Sequence, residues 1–136
     1  MPRSSHGGRH ELGQNFLVHT PTLEKIATIV ATTQGPILEI GSGSGALTRH
    51  LARLHRPLTA IDIDEHRVAE LRQRMPGVTI EQADILAYPV TTPVVVGNVP
   101  FHITTPILRR LLSTDTWQHA VLLTQWEVAR RRAGVG

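Results

Sequence analysis

The short apolar run Ile37-Leu38-Glu39-Ile40 passes directly into Gly41-Ser42-Gly43-Ser44-Gly45. Alternate glycines at that density fit a backbone that must turn tightly and come close to something else. Leu47, Leu51 and Leu54 then recur at helical spacing. A strand, a glycine turn and a helix in that order form half of a βαβ unit. A chain containing one is constrained toward an open α/β sheet.

The rest of the sequence repeats the alternation. Residues 1–13 are polar and small, and they read as a flexible N-terminal arm ahead of a domain over residues 14–136. Gln14-Asn15-Phe16-Leu17 precedes a helix with Thr20 as N-cap and Pro21 at the first helical position. Leu23, Ile26, Ala27 and Val30 give that helix a buried stripe. Further strands are predicted at Leu58 to Ile63, Val78 to Ile80, Val94 to Val96 and Ala120 to Leu123. The Val94-Val95-Val96 run is apolar enough to be covered on both faces. Between the strands, Asp64 can cap a helix that buries Val68 and Leu71. Thr105-Pro106 opens one carrying Ile107, Leu108, Leu111 and Leu112. A last helix is expected from Trp126 to Arg132. The fold class is α/β: a Rossmann-like, mainly parallel sheet with helices on both faces.

Composition removes several function classes. The chain has 136 residues and no cysteine, which excludes disulfides and thiolate metal sites and suits a reducing cytoplasm. The first residues lack the apolar core of a signal peptide, and no apolar run approaches membrane-spanning length. The eight histidines are scattered without metal-ligand spacing, so no metal site is expected. Net charge is +3, and every cation except Lys25 is arginine. Arginine forks phosphate and stacks on bases, although GC-rich codon usage produces the same bias. The charge permits nucleic-acid binding without establishing it.

In such sheets ligands lie beyond the carboxyl ends of the strands. The glycine turn, Asp62, Asp84 and Asn98 each follow a different strand at that edge. The helix after the turn aims its amide groups at whatever is bound. Asp62 can accept both hydroxyl hydrogens of a ribose, and Asp84 can accept a hydrogen bond from an adenine amine. The loop alone fits two cofactors. Gly41-x-Gly43-x-x-Ala46, with Asp62 about twenty residues on, satisfies the looser dinucleotide fingerprint. Glu39 tips the choice, because an acid just before the turn is awkward beside a pyrophosphate and useful near the cationic end of S-adenosylmethionine.

Asn98-Val99-Pro100-Phe101 supplies the second half of a reaction. The lone pair of an exocyclic base amine is conjugated into the ring. Two acceptors on the amine hydrogens favour a pyramidal nitrogen with its lone pair available. The Asn98 side-chain oxygen is one, and the Val99 carbonyl, presented by the turn that Pro100 fixes, is the other. Phe101 can stack on a base held out of its helix. Positioning and charge complementarity would then supply the rate without a strong base. An ordinary strand-to-helix turn uses the same residue types, and the cofactor loop upstream decides for a site. His102 reads as a turn histidine, and Ser42 and Ser44 have no partners that suggest a triad. Arg130-Arg131-Arg132 fits phosphate contact as well as a solvated helix end.

Taken in order, Gln14-Asn15-Phe16-Leu17, Glu39 to Gly45, Ile61-Asp62-Ile63-Asp64, Asp84-Ile85, Gly97-Asn98-Val99-Pro100-Phe101 and Gln125-Trp126-Glu127-Val128-Ala129 resemble the Erm-type 23S rRNA adenine N6-methyltransferases. Close cousins of that family are the small-subunit rRNA adenine dimethylases. The resemblance implies S-adenosylmethionine as cofactor, with Asn15, Leu17, Gly41, Gly43, Asp62, Asp84 and Asn98 binding it. It implies Asn98 at the target amine as well; Val99 and Phe101 at the target adenine, and Phe101, Arg130 and Arg131 toward RNA, are expected from the residues themselves. Phe101 stands where relatives commonly carry Tyr, and Asp62 where many carry Glu. The implied partner is 23S rRNA, with no membrane and no obligate protein partner. The implied outcome is resistance to macrolides, lincosamides and streptogramin B. Family members are roughly twice as long, with further strands and a C-terminal helical domain. The chain is therefore expected to be an incomplete catalytic domain with an open sheet edge, and a non-catalytic cofactor- or RNA-binding remnant is the alternative.

Overall fold

The computed structural model describes residues 19–124. Asn15, Leu17, Arg130, Arg131 and the helix expected from Trp126 lie outside them.

Helix α1, Thr20–Ala31, precedes strand β1, Ile37–Ile40. Helix α2, Ala46–Ala52, leads to β2, Leu58–Asp62. Helix α3, Glu65–Arg74, leads to β3, Thr79–Gln82. Strand β4, Val94–Val99, runs into a 3₁₀ turn at Phe101–Ile103 and helix α4, Thr104–Leu112. Strand β5, His119–Thr124, follows. The five strands lie in the order β3-β2-β1-β4-β5, and every neighbouring pair is parallel. The order reverses beside β1, between a run toward β3 and a run toward β5, so a crevice opens at the carboxyl ends of β1 and β4.

Pleating explains why the central strands are so apolar. Ile37, Val94 and Val96 turn to one face, where Leu23, Ile26 and Val30 of α1 and Leu47 and Leu51 of α2 cover them. Leu38, Ile40, Val95 and Val99 turn to the other, against Ile107 and Leu111 of α4. The valines of β4 are fully buried, as a strand covered on both faces requires. Strand β5 pairs only with β4 among the described residues, and from Ala120 on it is half-buried, consistent with its place at the edge.

Several boundaries differ from the sequence expectation. His19, not Thr20, occupies the N-cap of α1; its carbonyl accepts the Thr22 and Leu23 N–H groups at 3.1 Å, so Thr20 is already helical. Proline lacks an N–H and fits either of the first helical positions. Ala27 is only half-buried, and the stripe is Leu23, Ile26 and Val30. Strand β2 ends at Asp62, because the Asp64 N–H turns back onto the Asp62 carboxylate, and Ile63 is left exposed. Leu54 lies beyond the end of α2 and still packs on the same core. Strand β3 starts one residue late, since the Val78 N–H is taken by Met75. Helix α4 starts at Thr104, whose hydroxyl donates to the Pro100 carbonyl, and Leu108 and Leu112 point outward. The Asp64 cap forms as expected, with its carboxylate accepting the His66 and Arg67 N–H groups at 2.9 and 3.3 Å.

Candidate active site

Four parallel strands bring their ends to one edge. The turn after β1 holds Gly41, Gly43 and Gly45 at φ of +74°, +54° and +89°, a region that side-chain-bearing residues seldom occupy. Two constraints fix it there. The Gly41 and Ser42 N–H groups donate to the Ile61 carbonyl of β2, and the Gly45 N–H closes onto the Ser42 carbonyl at 2.9 Å. A Cβ on Gly45 would stand 2.4 Å from Leu71 Cδ2, so the turn also lies directly on α3.

Asp62, at the end of β2, faces this turn. Its Oδ2 accepts the Gly43 N–H and its Oδ1 the Asp64 N–H, both at 2.8 Å. One carboxylate thus joins the glycine turn to the start of the next helix, and each oxygen keeps acceptor capacity for a ligand. Asp84 follows β3 in an exposed segment, and its Oδ1 accepts the Leu86 N–H at 3.0 Å. The spacing of Asp62 from the glycines was legible in the sequence. Its bond to the turn was not, because a tertiary hydrogen bond across 19 residues has no local signature.

Asn98 sits at the end of β4, 5% exposed, with Oδ1 and Nδ2 both buried and without a partner among the described residues. Burying an amide unpaired costs on the order of 1–3 kcal/mol, so such a group is expected to serve something that binds. Its backbone is beside the turn, with the Asn98 carbonyl oxygen 3.4 Å from where a Cβ on Gly41 would be. Val99 is buried next to it. Pro100 presents a carbonyl that accepts both the Ile103 N–H and the Thr104 hydroxyl at 3.2 Å. The backbone of Phe101 opens the 3₁₀ turn. Ser42, whose sequence context points only to a nucleophile without triad partners, is buried in the turn itself, and its Oγ has no partner among the described residues.

Glu39 has a partner that its sequence position did not reveal. It is 1% exposed, and its Oε1 accepts the Thr48 hydroxyl of α2 at 2.6 Å. Burial pushes its carboxyl up to about 7; the Thr48 bond opposes the shift and the charge of Asp62 adds to it. His102 is exposed, and among the described residues no cluster of histidine and carboxylate side chains could hold a metal.

This set fits a nucleoside cofactor with a cationic centre. It offers a glycine cradle, carboxylates at two successive strand ends and a buried amide without a partner among the described residues. Gly41, Gly43, Asp62, Asp84 and Asn98 are brought to one edge as the sequence predicted.

Comparison with known proteins agrees with that chemistry. A family model described as ribosomal RNA adenine dimethylase matches residues 5–136. The chain is 51% identical over 133 residues to an rRNA adenine N-6-methyltransferase of Corynebacterium diphtheriae, covering 95% of this chain and 53% of the relative. It is 52% identical over 134 residues to the mycinamicin-resistance protein MyrB of Micromonospora griseorubida, covering 96% of this chain and 43% of the relative. The crystal structure of the 23S rRNA methyltransferase ErmE superposes with a TM-score of 0.70 at 35% identity, over 85% of this chain and 50% of that one. The chain thus spans about half the length of the curated relatives it matches.

Proposed function

Because this chain belongs to the ribosomal RNA adenine dimethylase family, we propose that it carries the catalytic sheet of an enzyme that methylates the exocyclic N6 amine of an adenine in ribosomal RNA. The substrate is 23S rRNA, the cofactor is S-adenosylmethionine, and the consequence is macrolide, lincosamide and streptogramin B resistance. The naming of the relatives and the ErmE likeness support this reading. The observation that carries it is the Asn98 carboxamide, buried and without a partner among the described residues, on a backbone that lies beside the glycine turn.

The residues divide the work. Asn15, Leu17, Gly41 and Gly43 cradle the cofactor, Asp62 takes the ribose hydroxyls, and Asp84 takes the adenine amine. Bound there, S-adenosylmethionine supplies a methyl group made electrophilic by its sulfonium. The Asn98 oxygen accepts one N6 hydrogen of the target adenine. The Pro100 carbonyl is already engaged by the 3₁₀ turn and the first residue of α4, so the Val99 carbonyl is assigned the other hydrogen. Held by two acceptors, the nitrogen would direct its lone pair at the methyl carbon; the N–C bond would form as the S–C bond breaks, the S–C electron pair returning to sulfur to leave S-adenosylhomocysteine, and the proton shed by the nitrogen would go to solvent. Phe101 is assigned the stack on the extruded base, and Arg130 and Arg131 phosphate contacts.

Among the described residues no helix is long and apolar enough to cross a membrane. The reading places the protein in the cytoplasm with its ribosomal substrate. A second reading rests on the cofactor turn and its Asp62 tether alone: a remnant that binds cofactor without turnover. Transfer of labelled methyl to 23S rRNA, with 16S rRNA as comparison, separates them. Label in 23S rRNA adenine supports the enzyme, label in 16S rRNA alone moves the chain to the small-subunit cousins, and cofactor binding with no label in either supports the remnant.

A further inference from the structure

Beneath the glycine turn lies a carboxyl group that the proposed reaction does not use. Glu39 belongs to the central strand, registered between Ala60 of β2 and Val96 of β4, both wholly buried. Its Oε1 receives the hydroxyl of Thr48, itself 0% exposed, on the helix that leaves the turn. The two residues are nine apart, and Gly41, Gly43 and Gly45 lie between them. A threonine inside a helix often spends its hydroxyl on a carbonyl one turn back; here it reaches down to the strand. A buried carboxyl with so little compensation is costly, and an apolar side chain of equal size would be more stable at this position.

We propose that Glu39 is a positioning residue of the cofactor site, acting through Thr48 to hold the end of β1 and the start of α2 at the separation the glycine turn requires. This rests on the reading of the turn as the cofactor site. Two side-chain bonds are thereby added to the backbone bonds of the turn: Glu39 with Thr48 from below, and Asp62 with the Gly43 N–H from the side. Glycines held in the left-handed region have no side chains of their own to fix them, so the separation of β1 from α2 bears directly on the shape of the turn. Stability is given up under the turn in exchange for one defined loop geometry.

The test is calorimetric titration of S-adenosylmethionine into the full chain, alongside thermal unfolding without cofactor. Thr48→Val and Glu39→Met each remove the bond at nearly constant volume and are expected to raise the Kd about tenfold, the order of one hydrogen bond. Glu39→Met should melt at the parental temperature or above it, because a buried carboxyl has been removed. Thr48→Ser and Glu39→Gln keep a donor and an acceptor and should bind within about twofold of the parent. The double variant Glu39→Met/Thr48→Val should bind no more weakly than either single one. Parental Kd values in both Thr48→Val and Glu39→Met overturn the proposal, as do Kd losses that follow melting temperature across the series. If Glu39→Met does not fold, the Thr48→Val and Thr48→Ser pair decides alone. A parent that fails to bind the cofactor overturns the reading of the turn itself, an outcome distinct from these.

Discussion

Gly43 donates its backbone N–H to the Asp62 carboxylate at 2.8 Å, joining the turn after β1 to the end of β2. Asp62 therefore has two tasks: shaping the turn and presenting acceptors to a ribose. Asp62→Asn keeps one acceptor and loses the charge, and it should weaken S-adenosylmethionine binding about tenfold; Asp62→Ala loses both tasks and should weaken it about a hundredfold. Calorimetry on the two variants checks the order, and equal affinities for parent and Asp62→Ala would remove Asp62 from the site.

Gly45 has a left-handed φ of +89°, and an added Cβ would meet Leu71 Cδ2 at 2.4 Å. Backbone strain and overpacking then act together, and Gly45→Ala should cost about 2–4 kcal/mol in urea unfolding. Gly77 supplies the control: an added Cβ there meets nothing within 4 Å. Gly77→Ala should leave stability within about 0.5 kcal/mol of the parent or raise it slightly. A Gly45→Ala variant as stable as Gly77→Ala would mean that the turn does not rest on α3.

The Glu39 carboxyl gives stability a pH dependence of unusual sign. Its pKa rises on folding from 4.5 to about 7. At pH values between these, the folded chain keeps a proton that the unfolded chain has lost, so stability falls as pH rises. Below pH 4.5 the contribution is complete, and above about 7 it has gone, with a difference on the order of 3 kcal/mol. Urea unfolding across pH 4.5 to 8, read as parent minus Glu39→Gln, should show that decline and then a plateau. A flat difference would place the Glu39 carboxyl in a more solvated setting than the fold gives it.

The sheet was legible because burial on two faces leaves a direct trace. Val94-Val95-Val96 cannot be half-exposed, and the turn after Ile40 cannot be anything but tight. The polar side chains at the strand ends were legible too, since parallel strands carry Asp62, Asp84 and Asn98 to one edge whatever the details between them. The brace from Glu39 to Thr48, the tether from Asp62 to Gly43 and the cap at His19 were not. Each depends on which atoms meet after packing, and several residue types at those positions would have met the same local preferences. Glu39 shows the difference most clearly: its place before the glycines pointed to the cofactor, while its hydrogen bond joins it to the next helix.

Methyl transfer tests the role of the Asn98 amide most directly. The parent chain and Asn98→Ala are incubated with labelled S-adenosylmethionine, at cofactor concentrations that saturate both, and with 23S rRNA. Label should enter N6 of adenine with the parent and fall at least about a hundredfold with Asn98→Ala, the order expected when a group that positions the reacting atom is lost. Equal labelling by the two proteins would contradict the assignment of Asn98 to the target amine.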